Sequence, residues 1–169
     1  QESGLPGNDV RAVLQTDDGA LWAGTNGGLG RYDGQVWQGF TTQDGLAGND
    51  ITSLWQDQNG MLWVGSNGGL NRCDLQEHLH CIAFEDLAGV RVNALLEDRM
   101  GHLWAATMDG VSYYDGQNWK SLTVADGLPA IEIRSLAQDD EGFLWLGTDG
   151  AGVSSYDGRA FVATLTTAD

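Results

Sequence analysis

Four tryptophans at a fixed spacing constrain the fold of this chain more than any other feature of its sequence. Each follows a leucine and lies 41 residues after the one before it, at Trp22, Trp63, Trp104 and Trp145. A glycine precedes each of them by three residues, and a small residue follows two positions later. A period of this length is typical of repeat proteins, so the chain contains four copies of one structural unit.

Each unit has the composition of four short strands. In the first unit the runs "VRAVLQ", "LWAGT", "LGRYD" and "VWQGFTT" are rich in β-branched and aromatic residues and are separated by glycine-containing turns. The 3.6-residue periodicity of helical repeats is absent. We therefore predict an all-β fold, a β-propeller of four-stranded antiparallel blades. Residues 1–169 form a single propeller or half-propeller domain, with blades at about 4–44, 45–85, 86–126 and 127–169.

The glycine after each tryptophan has a packing role in this interpretation. Residues two apart on a strand share a face, so Trp22 lies beside the space above Gly24. A bulky residue at Gly24 or Gly65 is expected to interfere with the tryptophan or with the sheet packed above it. The apolar residues that open the first strand of each unit are expected to fill a core: Val10, Ile51, Val92 and Ile133.

The charge of the chain excludes one class of partner. The formal net charge is −16, with a single lysine at position 120, so nucleic acid and other polyanions are repelled. No apolar run approaches the roughly 18 residues of a spanning helix, and we expect no membrane-spanning segment in this chain.

Two groups of residues resemble metal sites, and each has a structural alternative. The turns "TDDG", "DQNG", "DRMG" and "DDEG" hold carboxylates as calcium loops do, but the distant bidentate acid is missing and tight hairpins favour the same residues. The segment "CDLQEHLHC" holds Cys73, His78, His80 and Cys81. A constant period aligns Cys73 with Tyr32 and Cys81 with Phe40, which favours refilled core positions over zinc. A hairpin around Asp74–Gln76 would pair Cys73 with Glu77, so we expect free thiols, no metal and no cofactor.

No catalytic set is recognisable in the sequence. Histidine occurs only at positions 78, 80 and 102, and His102 falls in a predicted hairpin turn, where solvated surface is expected. Without a nucleophile, base and acid in a recognisable arrangement, we predict a protein that is not an enzyme.

The repeat resembles a known family. The frame "GLPGNDVRAVLQTDDGALWAGTNGGLGRYDG" returns from residue 45 and again from residue 126, and it is similar to the two-component regulator propeller repeat. The resemblance implies a β-propeller of the extracytoplasmic sensor part of bacterial hybrid histidine kinases, which recognises a ligand, often derived from a saccharide. It also implies a periplasmic or extracellular location. The third unit departs most, with "EDLAGVRVN" and "MDGVS".

A propeller shows two sets of loops on one face, around its central channel, and both sets carry variable polar residues here. We therefore predict a ligand site at the channel mouth, although solvated loop residues are an alternative. The candidates precede or open the first strands or lie between the second and third strands: Asp9, Arg11, Asp50, Thr52, Arg91, Asn93, Glu132, Arg134, Asn26, Asn67, Met108 and Asp149.

Three functions remain open from the sequence. The first is a recognition or sensor module that binds a small polar ligand, possibly a saccharide, or a protein partner. The second is a structural fragment that self-associates as a homodimer to complete an eight-bladed ring, in competition with a closed four-bladed monomer. The streptogramin lyases are propellers with comparable repeats, but no matching catalytic histidine can be placed, so a propeller lyase is the least favoured.

Overall fold

The computed structural model describes residues 4–75 and 79–167, and it contains sixteen strands in four sheets. Each sheet has four consecutive antiparallel strands in chain order, which confirms the predicted all-β fold of four-stranded blades. Blade 1 comprises β1 (Val10–Gln15), β2 (Leu21–Thr25), β3 (Gly28–Tyr32) and β4 (Trp37–Phe40). Blade 2 comprises β5 (Ile51–Gln56), β6 (Leu62–Ser66), β7 (Gly69–Asp74) and β8 (His80–Ala83).

The other two blades repeat this order. Blade 3 comprises β9 (Val92–Glu97), β10 (Leu103–Thr107), β11 (Gly110–Tyr114) and β12 (Trp119–Leu122). Blade 4 comprises β13 (Ile133–Gln138), β14 (Leu144–Thr148), β15 (Val153–Tyr156) and β16 (Phe161–Leu165). Short 3₁₀ turns follow the first three blades at Thr42–Asp44, Glu85–Leu87 and Val124–Asp126. Each predicted blade range contains one sheet, and the organisation as a single domain remains a prediction.

The chain divides into two compact units, Gln1–Val92 and Asn93–Asp169. In the first unit, the glycine after each tryptophan lies beneath a residue of the following blade. A β-carbon on Gly24 would lie 2.7 Å from Cγ2 of Ile51, and one on Gly65 would lie 2.8 Å from Cγ1 of Val92. Both distances are shorter than two packed carbons allow. These glycines let neighbouring blades approach closely, because the first strand of the next blade packs directly on them.

One predicted core residue is exposed. Ile51, Val92 and Ile133 are fully buried, whereas Val10 is 42% exposed, so its prediction as a core residue is wrong. Ile51 is covered because Gly24 of the preceding blade lies against it, and no sheet precedes Val10 in the described part of the chain. The burial of this position therefore depends on a neighbouring blade and not on its own sheet.

The acidic turns between the first and second strands use their carboxylates internally. In blade 2, Oδ1 of Asp57 accepts the backbone N–H groups of Asn59 and Met61 at 2.9 and 3.0 Å, and Oδ2 accepts the indole N–H of Trp63 at 2.8 Å. Asp98 and Asp139 make the same bonds in blades 3 and 4. This geometry favours the hairpin explanation of these turns over calcium loops.

The prediction of free thiols is wrong. Cys73 and Cys81 form a disulfide, and the two residues lie directly opposite each other on β7 and β8, with their α-carbons 4.1 Å apart. The zinc alternative loses both of its sulfur ligands, since each sulfur is bonded to the other. His78 lies outside the described residues, and His80 is exposed on β8.

The error arose from an uneven repeat. The connection between Cys73 and Cys81 is three residues longer than that between Tyr32 and Trp37, the equivalent pair in blade 1. Phe84, and not Cys81, therefore takes the position of Phe40 and stacks on Trp63 at 5.4 Å between ring centroids. The disulfide occupies the place of an aromatic pair that blade 1 forms at 5.2 Å.

Candidate functional site

The predicted ligand face has a defined backbone framework. The residues before the first strands and those between the second and third strands meet through main-chain hydrogen bonds. The N–H of Asn26 donates to the carbonyl of Asp9, and that of Asn67 donates to the carbonyl of Asp50, each at 3.0 Å. In the second unit the N–H of Asp149 donates to the carbonyl of Glu132, also at 3.0 Å. The two sets of loops therefore lie together at the same end of each of these blades.

An ionic network joins candidate residues of the first unit. The carboxylate of Asp50 accepts from Arg11 Nη1 at 2.5 Å and from Arg91 Nη1 at 3.2 Å. Arg11 also reaches Asp9 at 3.1 Å. Charges of alternating sign thus connect residues that precede or open the first strands of three consecutive blades. All four side chains remain accessible to solvent, with side-chain exposure between 22% and 56%.

A smaller version of this arrangement lies in the second unit. Arg134 lies 3.2 Å from both Glu132 and Asp149, so its guanidinium bridges the two loops of blade 4. The hydrogen bond to Asp149, followed by the charges of Asp149 and Glu132, raises the pKa of Arg134 above its usual value. The hydrogen bonds from Arg11 to Asp50 and Asp9 raise the pKa of Arg11 in the same way. Both guanidinium groups are therefore permanently charged.

Two candidate residues have a structural role. Thr52 Oγ1 donates to the carbonyl of Val92, and Asn93 Nδ2 donates to the carbonyl of Ile133 at 2.8 Å. The two positions are equivalent, and each ties the first strand of one blade to that of the next. Their side chains are thus engaged by the protein itself. Met108, between β10 and β11, is 44% exposed and contributes an apolar surface instead.

In each unit, the charged candidates form a polar surface of paired charges of their own. Guanidinium N–H groups and carboxylate oxygens alternate along it, so it offers both hydrogen-bond donors and acceptors to a ligand with several hydroxyl groups. Because each charge already has a partner, a neutral polar ligand fits better than an ion that would have to displace one of them.

Sequence reasoning missed two features of this chain. The disulfide was hidden by the uneven repeat of blade 2. The bond between the turn aspartate and the tryptophan six residues later was not recognised, although the fixed spacing of Asp57, Asp98 and Asp139 from Trp63, Trp104 and Trp145 was visible. In blade 1, Thr16 replaces the aspartate, and its Oγ1 accepts the indole N–H of Trp22 at 3.1 Å.

The described residues include neither a metal-binding cluster nor a membrane-spanning helix. Within residues 4–75 and 79–167, no group of three or more His, Cys, Asp or Glu side chains is placed to hold a metal ion. Over the same ranges, no helix has the length and apolar character needed to cross a membrane.

The four antiparallel four-stranded sheets define the class of the protein: it is built of β-propeller blades. Its sequence then gives the family. Residues 4–27, 45–68 and 127–150 match the two component regulator propeller repeat. The chain therefore contains repeats of the two-component regulator propeller family, which confirms the resemblance seen in its sequence. The third unit, which departs most from the frame, contributes no match.

Among solved structures, the chain is similar to two extracellular domains. It is similar to the extracellular domain of BT3049 from B. thetaiotaomicron, described as a hybrid two component system, with a TM-score of 0.86 and 27% identity over 99% of this chain. A second such domain, BT4673 from the same organism, gives a TM-score of 0.80 and 20% identity over 92%. The chain spans only about a quarter of either domain, 24% and 25%. No curated protein matches it significantly.

A lyase shares the fold. Virginiamycin B lyase from Staphylococcus aureus matches 92% of this chain and 55% of its own length, with a TM-score of 0.73 and 12% identity. Identity at this level shows the fold alone. The one histidine outside the Cys73–Cys81 segment, His102, has its Nδ1 3.1 Å from Asp98 Oδ2, within the same hairpin turn.

Proposed function

We propose that the chain is an extracytoplasmic recognition module, non-enzymatic, that binds a small polar ligand of saccharide type at the loop ends of its blades. The observation that carries the proposal is the network of Asp9, Arg11, Asp50 and Arg91, which keeps alternating donors and acceptors accessible across three consecutive blades. The similarity of the chain to extracellular domains of two-component systems supports a role in sensing. A protein partner that presents hydroxyl groups would use the same surface.

The disulfide supports the location. Cys73 and Cys81 are the only cysteines of the chain, and they are bonded to each other. Structural disulfides form and persist in oxidising compartments and are rare in the cytosol. A periplasmic or extracellular location is consistent with this bond and with the extracellular domains that the chain resembles.

The test is a glycan array followed by thermal-shift titration of each glycan that binds. The double variant Arg11→Gln/Arg134→Gln removes one guanidinium group from the loop ends of each unit, and we expect it to lose binding. The matched control is Arg99→Gln, because Arg99 pairs with Asp140 at 3.0 Å at the opposite end of the blades. Survival of every binding interaction in the double variant would show that the loop ends are not the site.

Self-association is a second function that a specific observation favours. Val10 is 42% exposed while its counterparts in the other blades are fully buried. On blade 4, Val153 is 40% exposed, whereas its counterparts Leu29, Leu70 and Val111 are fully buried. A second copy of the chain, as a homodimer that completes an eight-bladed ring, would cover both apolar surfaces.

Light scattering tests this second function directly. We expect the unaltered chain to be a homodimer at micromolar protein. The variant Val153→Lys should be a monomer, since a buried lysine without a partner disfavours the interface. Val36→Lys is the control, because Val36 is 62% exposed in the turn before β4 and outside both surfaces. The mass of a single chain for the unaltered protein would exclude the homodimer.

A further inference from the structure

A cavity lined by aromatic rings lies in the second unit, away from the loop ends described above. Its volume is about 230 Å³, and it lies between the hairpin turns of blades 3 and 4. The residues that line it include three aromatic and three polar or charged side chains: Trp104, Tyr113, Tyr156, Asp98, His102 and Asp157. The cavity has the size of a single small organic group rather than that of an extended chain.

Hydrogen bonds made by Asp98 hold one wall of this cavity in place. Asp98 is 7% exposed, and its carboxylate accepts the N–H groups of Met100 and His102 at 2.9 Å and the indole N–H of Trp104 at 2.8 Å. A carboxylate only accepts hydrogen bonds, so the bond to His102 Nδ1 assigns the ring proton to that nitrogen. The side chain of His102 is 27% exposed. Trp104 and Tyr113 pack at 4.6 Å between ring centroids.

In blades 1 and 2 an arginine lies over the tryptophan of the second strand, and blade 3 has no arginine or lysine at that position. In blade 1 the guanidinium of Arg31 lies 5.8 Å from the ring centroid of Trp22 and 3.4 Å from Asp18. Blade 2 repeats the arrangement with Arg72 over Trp63, again at 5.8 Å.

The strand register gives the corresponding residue of blade 3. It pairs Trp22 with Arg31 and Trp104 with Tyr113, so an uncharged aromatic ring replaces the guanidinium. Met100, which is 81% exposed, replaces Asp18. The cavity therefore lies at the position where blades 1 and 2 each hold a charge of their own.

The electrostatic character of the cavity is negative. Among the described residues that line it there is no lysine or arginine, while Asp98 and Asp157 are both present. Burial raises the pKa of Tyr156, with smaller contributions from Tyr113, Asp157 and Asp126. Lys120 lies over the ring of Tyr113 and is held by Asp115 at 3.2 Å. Hydrogen bonds from the N–H groups of Ala160 and Arg159, together with the charge of Arg159, lower the pKa of Asp157, so its carboxylate is ionised.

We propose that this cavity binds an organic cation, a guanidinium or alkylammonium group on a short aliphatic chain. The rings of Tyr113 and Tyr156 provide the cation–π contacts and Asp157 provides the opposite charge. Such a group enters either as a free small molecule or as the side chain of an arginine or lysine. The site is independent of the loop-end ligand, so either proposal can fail without the other.

The experiment is an NMR titration of the full chain that follows the indole N–H resonance of Trp104. Agmatine represents a free molecule, N-acetyl-L-argininamide represents a protein side chain, and N-acetyl-L-citrullinamide is the uncharged analogue of the latter. We expect saturable shifts with at least one of the two cations and none with the citrulline compound. Tighter binding of agmatine indicates a small-molecule ligand, and tighter binding of the argininamide indicates a side chain.

Two variants locate the binding. Tyr113→Arg gives blade 3 the guanidinium that blades 1 and 2 already carry, so we expect it to fill the cavity and abolish binding. Asp157→Asn keeps the oxygen that accepts the N–H groups of Arg159 and Ala160 but removes the charge, and should weaken binding at least ~fivefold.

The matched control is Asp33→Asn, because Asp33 accepts the same two turn bonds in blade 1. It should bind as the unaltered chain does. Three results would each overturn the proposal: equal binding of the citrulline compound, no saturable binding of either cation, or unchanged binding in Asp157→Asn. None of them depends on whether Tyr113→Arg folds.

Discussion

Removal of the Cys73–Cys81 disulfide should destabilise the first unit by an amount that follows from the size of the loop it closes. The two cysteines are eight residues apart. In the chain-entropy description, closing a loop of this length removes entropy from the unfolded chain equivalent to about 2.5 kcal/mol at 25 °C. Cys73 is fully buried, so replacing it by alanine also leaves a small void, which adds about 1 kcal/mol.

These two contributions can be separated by experiment. Reduction of the unaltered chain breaks the cross-link and keeps both sulfurs, so we expect the free energy of unfolding to fall by about 2.5 kcal/mol. Cys73→Ala/Cys81→Ala removes the sulfurs as well, and we expect a fall of about 3.5 kcal/mol. Urea denaturation followed by tryptophan fluorescence measures both values, and the corresponding shift in Tm is about 5–14 °C for a chain of this size.

The control is internal to the chain. Because there are no other cysteines, the reductant should leave the stability of the double alanine variant unchanged. A reduced protein as stable as the oxidised one would refute the reasoning, since it would mean that the loop is already ordered in the unfolded chain or that the longer connection of blade 2 needs no cross-link.

Three further predictions concern packing, the turns and acid stability. Gly24→Val should destabilise the first unit by roughly 1–3 kcal/mol in urea denaturation, because its side chain meets Ile51 of the next blade, and an unchanged stability would mean that the blades separate easily. Asp57→Ala should cost more stability than Asp57→Asn, which keeps an oxygen for the backbone N–H groups of the turn, and equal losses would argue against the turn bonds. Hydrogen bonds from Asn118, Gln117 and Lys120 lower the pKa of Asp115 to about 2, and a bond from Trp145, with backbone bonds, lowers the pKa of Asp139. A depressed pKa gives stability that is present above the unfolded value and lost on protonation, so circular dichroism should show stability falling as the pH drops from about 4 to 2.

The architecture could be predicted from the sequence because the repeat itself encodes it. The fixed spacing of the tryptophans gave four blades, and the turn glycines separated their strands. The loops carrying Asn26 and Asp149 could be assigned to the same end as Asp9 and Glu132, because alternating strand direction requires it.

The partners of individual side chains could not be predicted in this way. The bond from Arg11 to Asp50 joins residues of two different blades, so it depends on the packing of one sheet on the next. The exposure of Val10 depends on a neighbour in the same manner. The disulfide was missed because an alignment at constant period assumes that each connection keeps its length, and the β7–β8 connection does not.

The longer connection of blade 2 also bears on how such chains change over evolutionary time. The three residues gained before Cys81 are offset by three residues lost between Phe84 and Leu87, so Leu87 is buried at the same spacing from Leu46 that separates Leu128 from Leu87. A change in the outermost strand is thus absorbed before the next blade begins. The last strand of a blade can thus change in length or gain a disulfide without shifting the spacing of the repeat that follows. Each blade can therefore vary independently of the next one.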